Sequence, residues 1–92
     1  MTFKEQLAVA SDAEQLWKVL MPQMQKPEQD TFMLWAGRYP EPVIQRGINR
    51  AAGKSRKMAT TGQPMTAEDA ARYASSVMRN ETLGIRNHSE AQ

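Results

Sequence analysis

Five basic side chains within twelve residues carry the strongest chemical signal in this chain: Arg46, Arg50, Lys54, Arg56 and Lys57. Cations at this density attract polyanions, either phosphate backbones or carboxylate-rich protein surfaces. Residues 38–57 hold six Lys/Arg against one acid, Glu41, a balance of +5, whereas the other 72 residues sum to −3. The whole-chain charge of +2 is too small to direct binding by itself; its concentration is the signal. Arg46, Arg50, Lys54 and Lys57 follow one another at spacings of four, four and three. On a helix that spacing sets them on one side. Val43, Ile44, Gly47, Ile48, Ala51 and Ala52 take the other half of the wheel, the half that packs. Such a ridge suits phosphate or acidic-protein contact. It also has a structural reading, as a solvated face or as one paired with Glu14, Glu28 or Asp30 of a neighbouring helix or subunit. Along the chain itself, no acid lies within one turn of Arg50, Lys54 or Lys57.

Other chemistries find little support. The chain has no Cys, which excludes disulfides, thiolate metal sites and thiol catalysis. Its one His, His88, falls in a polar C-terminal stretch, so no Ser/His/Asp grouping forms. Glu68 and Asp69 are adjacent, and neighbours on a helix do not face each other. Their position fits the positive end of a helix dipole. Gly53-Lys54-Ser55 ends like a phosphate loop but lacks the glycine five positions earlier and a strand before it. The expectation is a protein that is not an enzyme and needs no metal or cofactor.

Four helices are needed to position the ridge. Strand formers are sparse, and Ala, Glu, Gln, Met, Leu, Lys and Arg favour helix. Thr2 with Glu5 forms a capping box that opens a helix over 3–21, closed by Pro22. Ser11 and Glu14 offer a second start, but the apolar faces of the two halves run on, which favours one helix. Pro27 suits the first turn of a helix over 28–36, with Glu28 and Asp30 at its positive end and Gly37 as its stop. Arg38-Tyr39-Pro40 turns the chain into the ridge helix, 41–56. Residues 58–64 read as a loop, and Thr66 caps a helix over 67–80. The predicted fold is all-α, one domain over 1–81 with a flexible tail over 82–92. Its predicted core is Leu16, Trp17, Leu20, Phe32, Trp35, Ile44, Ile48, Tyr73, Val77 and Met78.

The second and third helices outline a helix-turn-helix. The residues opening the third, Glu41, Pro42 and Gln45, are poor base readers apart from Gln45, and the Arg/Lys residues further along suit phosphate or acidic-protein contact better than sequence reading. No apolar run approaches the roughly 18 residues of a membrane span. Lys4-Glu5-Gln6 interrupts any signal-peptide pattern, so the expected location is cytoplasmic. Ninety-two residues support a modest core, which dimerisation would reinforce.

Trp35, Tyr39-Pro40, Val43-Ile44 and Ile48, followed by Pro64 and Thr66-Ala67-Glu68 opening a helix, resemble small phage proteins that load or inhibit the replicative helicase. The likeness covers about residues 28–75. A second likeness, through the Tyr73-to-Met78 helix, is to the helical domain of primosomal helicase loaders. The first implies an all-helical domain that binds a hexameric helicase through a flexible C-terminal segment. Neither accounts for the basic ridge. The sequence therefore yields two expectations. One is a non-enzymatic binding module in DNA replication or another nucleic-acid process, with DNA or a replication protein as partner. The alternative is a protein-interaction or self-assembling helical module with no nucleic-acid role.

Overall fold

The computed structural model describes residues 1–84. Four helices follow in order: α1 (Phe3–Leu20), α2 (Gln29–Arg38), α3 (Glu41–Thr60) and α4 (Ala67–Thr82). The fold is all-α, as the composition predicts. The ridge helix α3 is central, with α4 and α1 packed on it, and α2 packs chiefly on α1.

The caps read from the sequence form. Thr2 Oγ1 accepts from the Glu5 backbone N–H at 3.1 Å, and Glu5 Oε1 accepts from the Thr2 N–H at 2.8 Å. α1 runs unbroken through Ser11. Thr66 Oγ1 accepts from the Asp69 N–H at 3.0 Å and starts α4.

Several boundaries differ from expectation, each for a local reason. Pro27 lies outside α2, whose N-cap is Glu28. Gly37 does not stop α2; it is helical, and the helix ends at Arg38 because Tyr39, before Pro40, is held extended. α3 continues through Thr60, over residues read as loop. It ends in a Schellman turn: Gly62 adopts φ +81, its N–H donates to the Ala59 carbonyl, and the Gln63 N–H donates to that of Met58. α4 runs to Thr82, the first residue assigned to the tail. From residue 85 the predicted tail, with His88, lies outside the described residues.

Trp17, Phe32 and Trp35 form the centre of the core. Phe32 meets both indoles edge-on, at centroid distances of 6.3 Å and 5.5 Å, and the indoles lie 6.5 Å apart. The Trp35 indole N–H donates to Ser75 Oγ at 2.9 Å, tying α2 to α4. Ile44, Ile48, Val77 and Met78 are buried as predicted. Leu16, Leu20 and Tyr73 are only partly buried and pack against the cluster from its edge. For the two leucines this is a correction, since α1 turns Ala10 and Ala13 inward beside the predicted Trp17. Ala36, Ala51, Ala52, Ala70 and Ala74 complete the interior, so its helices meet over small side chains.

The tightest approach is at Gly47, where α3 crosses α4. A Cβ there would lie 2.7 Å from Met78 Cγ and 3.0 Å from the Ala74 carbonyl oxygen. Gly53, two turns on, has nothing within 4 Å of its Cβ position. The two glycines make opposite predictions. Gly47→Ala is expected to destabilise the fold by about 1–3 kcal/mol through overpacking. Gly53→Ala is expected to stabilise it by about 0.5–1 kcal/mol, because only the helix-glycine penalty is removed. Urea denaturation of both variants measures the pair.

Candidate nucleic-acid interface

α3 buries Val43, Ile44, Gly47, Ile48, Ala51 and Ala52. That requirement rotates Arg46, Arg50, Lys54, Arg56 and Lys57 outward, and all five are exposed. No side chain does this individually. The apolar half of the helix sets the rotation, and the basic half follows.

The row along the α4 flank is held by contacts that the local sequence does not contain. The Arg46 guanidinium grips the Glu81 carboxylate, with Nε 2.9 Å from each oxygen and an ion pair through Nη2. Lys54 Nζ stands 5.2 Å from the centroid of the Tyr73 ring, a cation–π contact across the same seam. Among the described residues, the acid that meets Arg46 is Glu81 of α4. Glu14 instead pairs with Lys18 at 3.6 Å and Lys26 at 3.2 Å.

Electrostatics follow from this geometry. Hydrogen bonding from Arg46 holds the Glu81 carboxyl below its ordinary range, with smaller help from the charges of Arg46 and Arg50. The Arg46 guanidinium is pushed further up by the same bond. Glu81 thus stays ionised to lower pH than an ordinary glutamate and holds Arg46 toward α4.

α4 contributes two cations outside the five read from the sequence. Lys54, Asp69, Arg72, Tyr73, Ser76 and Arg79 line one shallow trough beside the ridge. Arg72 is exposed and makes loose pairs with Glu68 at 3.7 Å and Asp69 at 3.6 Å. Arg72 and Arg79 lie seven residues apart, two turns of one helix face, which is the signal in the sequence that α4 carries a basic row of its own.

Arg56 stands apart from the α4 seam. It borders a cleft formed by Leu20, Met21, Met24, Ser55 and Met65, where the two inter-helix connectors meet. Its charge extends the exposed face of α3 toward α1 rather than toward α4. On that flank Asp12 and Glu41 line the α1–α3 groove, so positive charge gives way to negative across α3.

Among the described residues, no cluster of three or more His, Cys, Asp or Glu is placed to hold a metal. No helix among them is long and apolar enough to cross a membrane. The arrangement offers charge, amide and hydroxyl groups on an open surface, which is binding chemistry.

Glu81 provides a test of the seam. Its folded carboxyl titrates below its unfolded value, so it adds stability above the unfolded value, and that contribution is lost as pH falls through the folded one. In Arg46→Gln, carboxyl NMR titration is expected to return Glu81 upward toward the ordinary glutamate range, and the acid loss of stability attributable to this pair should vanish. An unchanged titration would remove Arg46 as the cause.

Comparison with protein-family models, with curated proteins and with solved structures found no match in any of the three.

Proposed function

We propose that this protein is a non-enzymatic module that binds a polyanion, nucleic acid in the first instance, through the exposed half of α3 and the adjoining trough of α4. The observation that carries this reading is the continuity of the basic surface. Lys54 of α3 shares a trough with Arg72 and Arg79 of α4, Arg46 meets α4 at Glu81, and the exposed Arg50 and Lys57 belong to the same outer half of α3; among the described residues Glu68, Asp69 and Glu81 are acids set against these cations. A solvated structural face would need no second basic row from another helix. Arg and Lys at this density neutralise phosphates and release counterions, which gives affinity with little demand on shape. The resemblance to helicase loaders and inhibitors adds a setting, DNA replication, in which such a surface has a use.

Exposed apolar residues favour a second reading, the protein-interaction module. Val19 is 72% exposed and borders the α1–α3 groove together with Val9 and Leu16. Phe3 and Leu34 are also largely exposed, on α1 and α2. Such a strip suits a protein partner, a replication protein or a second copy of the chain. The two readings meet at the α1–α3 groove but rest on different side chains, the cations of α3 and α4 or the apolar residues of α1 and α2, and are separable by mutation.

Fluorescence anisotropy with labelled DNA across a salt series tests the first reading. Four or five phosphate contacts predict a slope of log affinity against log salt of about −3 to −5. Reversal of Arg50 and Lys57 to Glu is expected to abolish that binding and leave the circular dichroism spectrum and thermal midpoint near wild type. Val19→Glu should leave DNA binding intact. Absence of binding at low salt, or binding insensitive to the reversals, contradicts the proposal.

A further inference from the structure

The solvent half of α3 carries more than charge, and the rest of its chemistry is specific. Gln45, Asn49 and Gly53 follow at intervals of four, forming a row parallel to Arg46, Arg50 and Lys54. Gln45 and Asn49 are exposed, and neither contributes to the core. Residues four apart on a helix are separated by roughly 6 Å along its axis. Stacked base pairs rise about 3.4 Å each, so the two amides span about two steps. Carboxamides are the side chains that make paired hydrogen bonds with adenine in the major groove, and arginine does the same with guanine.

The backbone beside this row is open. Gly53 presents no Cβ, and nothing lies within 4 Å of where one would be. A base edge or sugar can therefore approach α3 closely at that turn. Asn49 Nδ2 donates to the Gln45 backbone carbonyl at 2.9 Å, a local bond that lays the amide on the helix surface. Its Oδ1 stays available as an acceptor, and a side-chain rotation frees the donor.

Chain topology agrees. α2, the Tyr39–Pro40 corner and α3 keep the order of a helix-turn-helix, two helices joined by a short turn, with the outer half of the second exposed. The charge distribution gives an orientation. Gln45 and Asn49 lie toward the α1 flank, in one groove with Asp12 and Glu41, whose charge disfavours a phosphate strand there, whereas Lys54, Arg72 and Arg79 line the α4-side trough and Arg46 reaches Glu81 of α4.

From these observations we infer that α3 is a recognition helix for duplex DNA, with Gln45 and Asn49 reading base edges in the major groove and the α4-side cations holding one phosphate strand. This inference rests on the polyanion reading and narrows it to a sequence-selective duplex. A-form RNA is not an equivalent ligand, because its major groove is too deep and narrow for a helix to read.

Selection from a random-sequence duplex pool, followed by anisotropy on the enriched sequence and a scrambled control, tests this directly. The expected result is an enriched sequence bound at least about tenfold better than the control. In the Gln45→Ala/Asn49→Ala double variant that preference should fall toward unity while salt-dependent binding to the control persists. Arg50→Glu should weaken both duplexes alike. Salt-dependent binding with no enriched sequence, or with a preference that survives the double variant, overturns base reading and leaves polyanion binding in place. Equal affinity for duplex RNA of the enriched sequence also overturns it. Failure to bind any DNA removes both.

Discussion

Everything on the basic face depends on how closely α3 can approach α4. Gly47 sits against Met78 and the Ala74 backbone with no room for a side chain. Ala51, Ala70 and Ala74 extend the seam with little bulk. A close crossing commits half of α3 to the interior and fixes its rotation. The five cations then have one direction left, outward. Site and fold are therefore not separate features: a change at Gly47 that splays the two helices also separates Arg46 from Glu81 and Lys54 from Tyr73.

The same seam moderates the cost of a basic ridge. Cations four residues apart repel each other and weaken the helix that bears them. Glu81 offsets part of that repulsion, and the Tyr73 ring accepts the Lys54 ammonium. Both contacts lie at the surface, where ion pairs contribute little stability and are screened by salt. They orient side chains more than they hold the fold together. On the proposed reading, a phosphate strand would compete with Glu81 for Arg46 at small cost.

Much of this architecture was legible in the chain itself. The apolar spacing of Val43 to Ala52 gave the rotation of α3, and Thr2-Glu5 and Thr66 gave two helix starts. Helix ends were less legible, because glycine has two uses. Gly62 ends α3 through a positive φ, whereas Gly37 is helical and lies against the Gln6 side chain. Only packing distinguishes them. The Arg46–Glu81 pair spans 35 residues and the Trp35–Ser75 bond spans 40, and no local pattern reports contacts of that range. Leu16 and Leu20 were placed in the core by hydrophobicity, but one face of α1 could not hold them together with Ala10, Ala13 and Trp17. Arg72 and Arg79 were visible as a two-turn pair, yet their meaning came only from the seam beside Lys54.

The central claim is that one face, the outer half of α3 with the adjoining α4 trough, meets the ligand. An amide-resolved NMR titration with a short DNA duplex measures this residue by residue. The account predicts shift changes concentrated between Gln45 and Lys57 and between Arg72 and Arg79, with Phe3, Leu34 and the α1–α2 contact unaffected. Changes centred instead on α1 or α2, with the α3 cations silent, would contradict it.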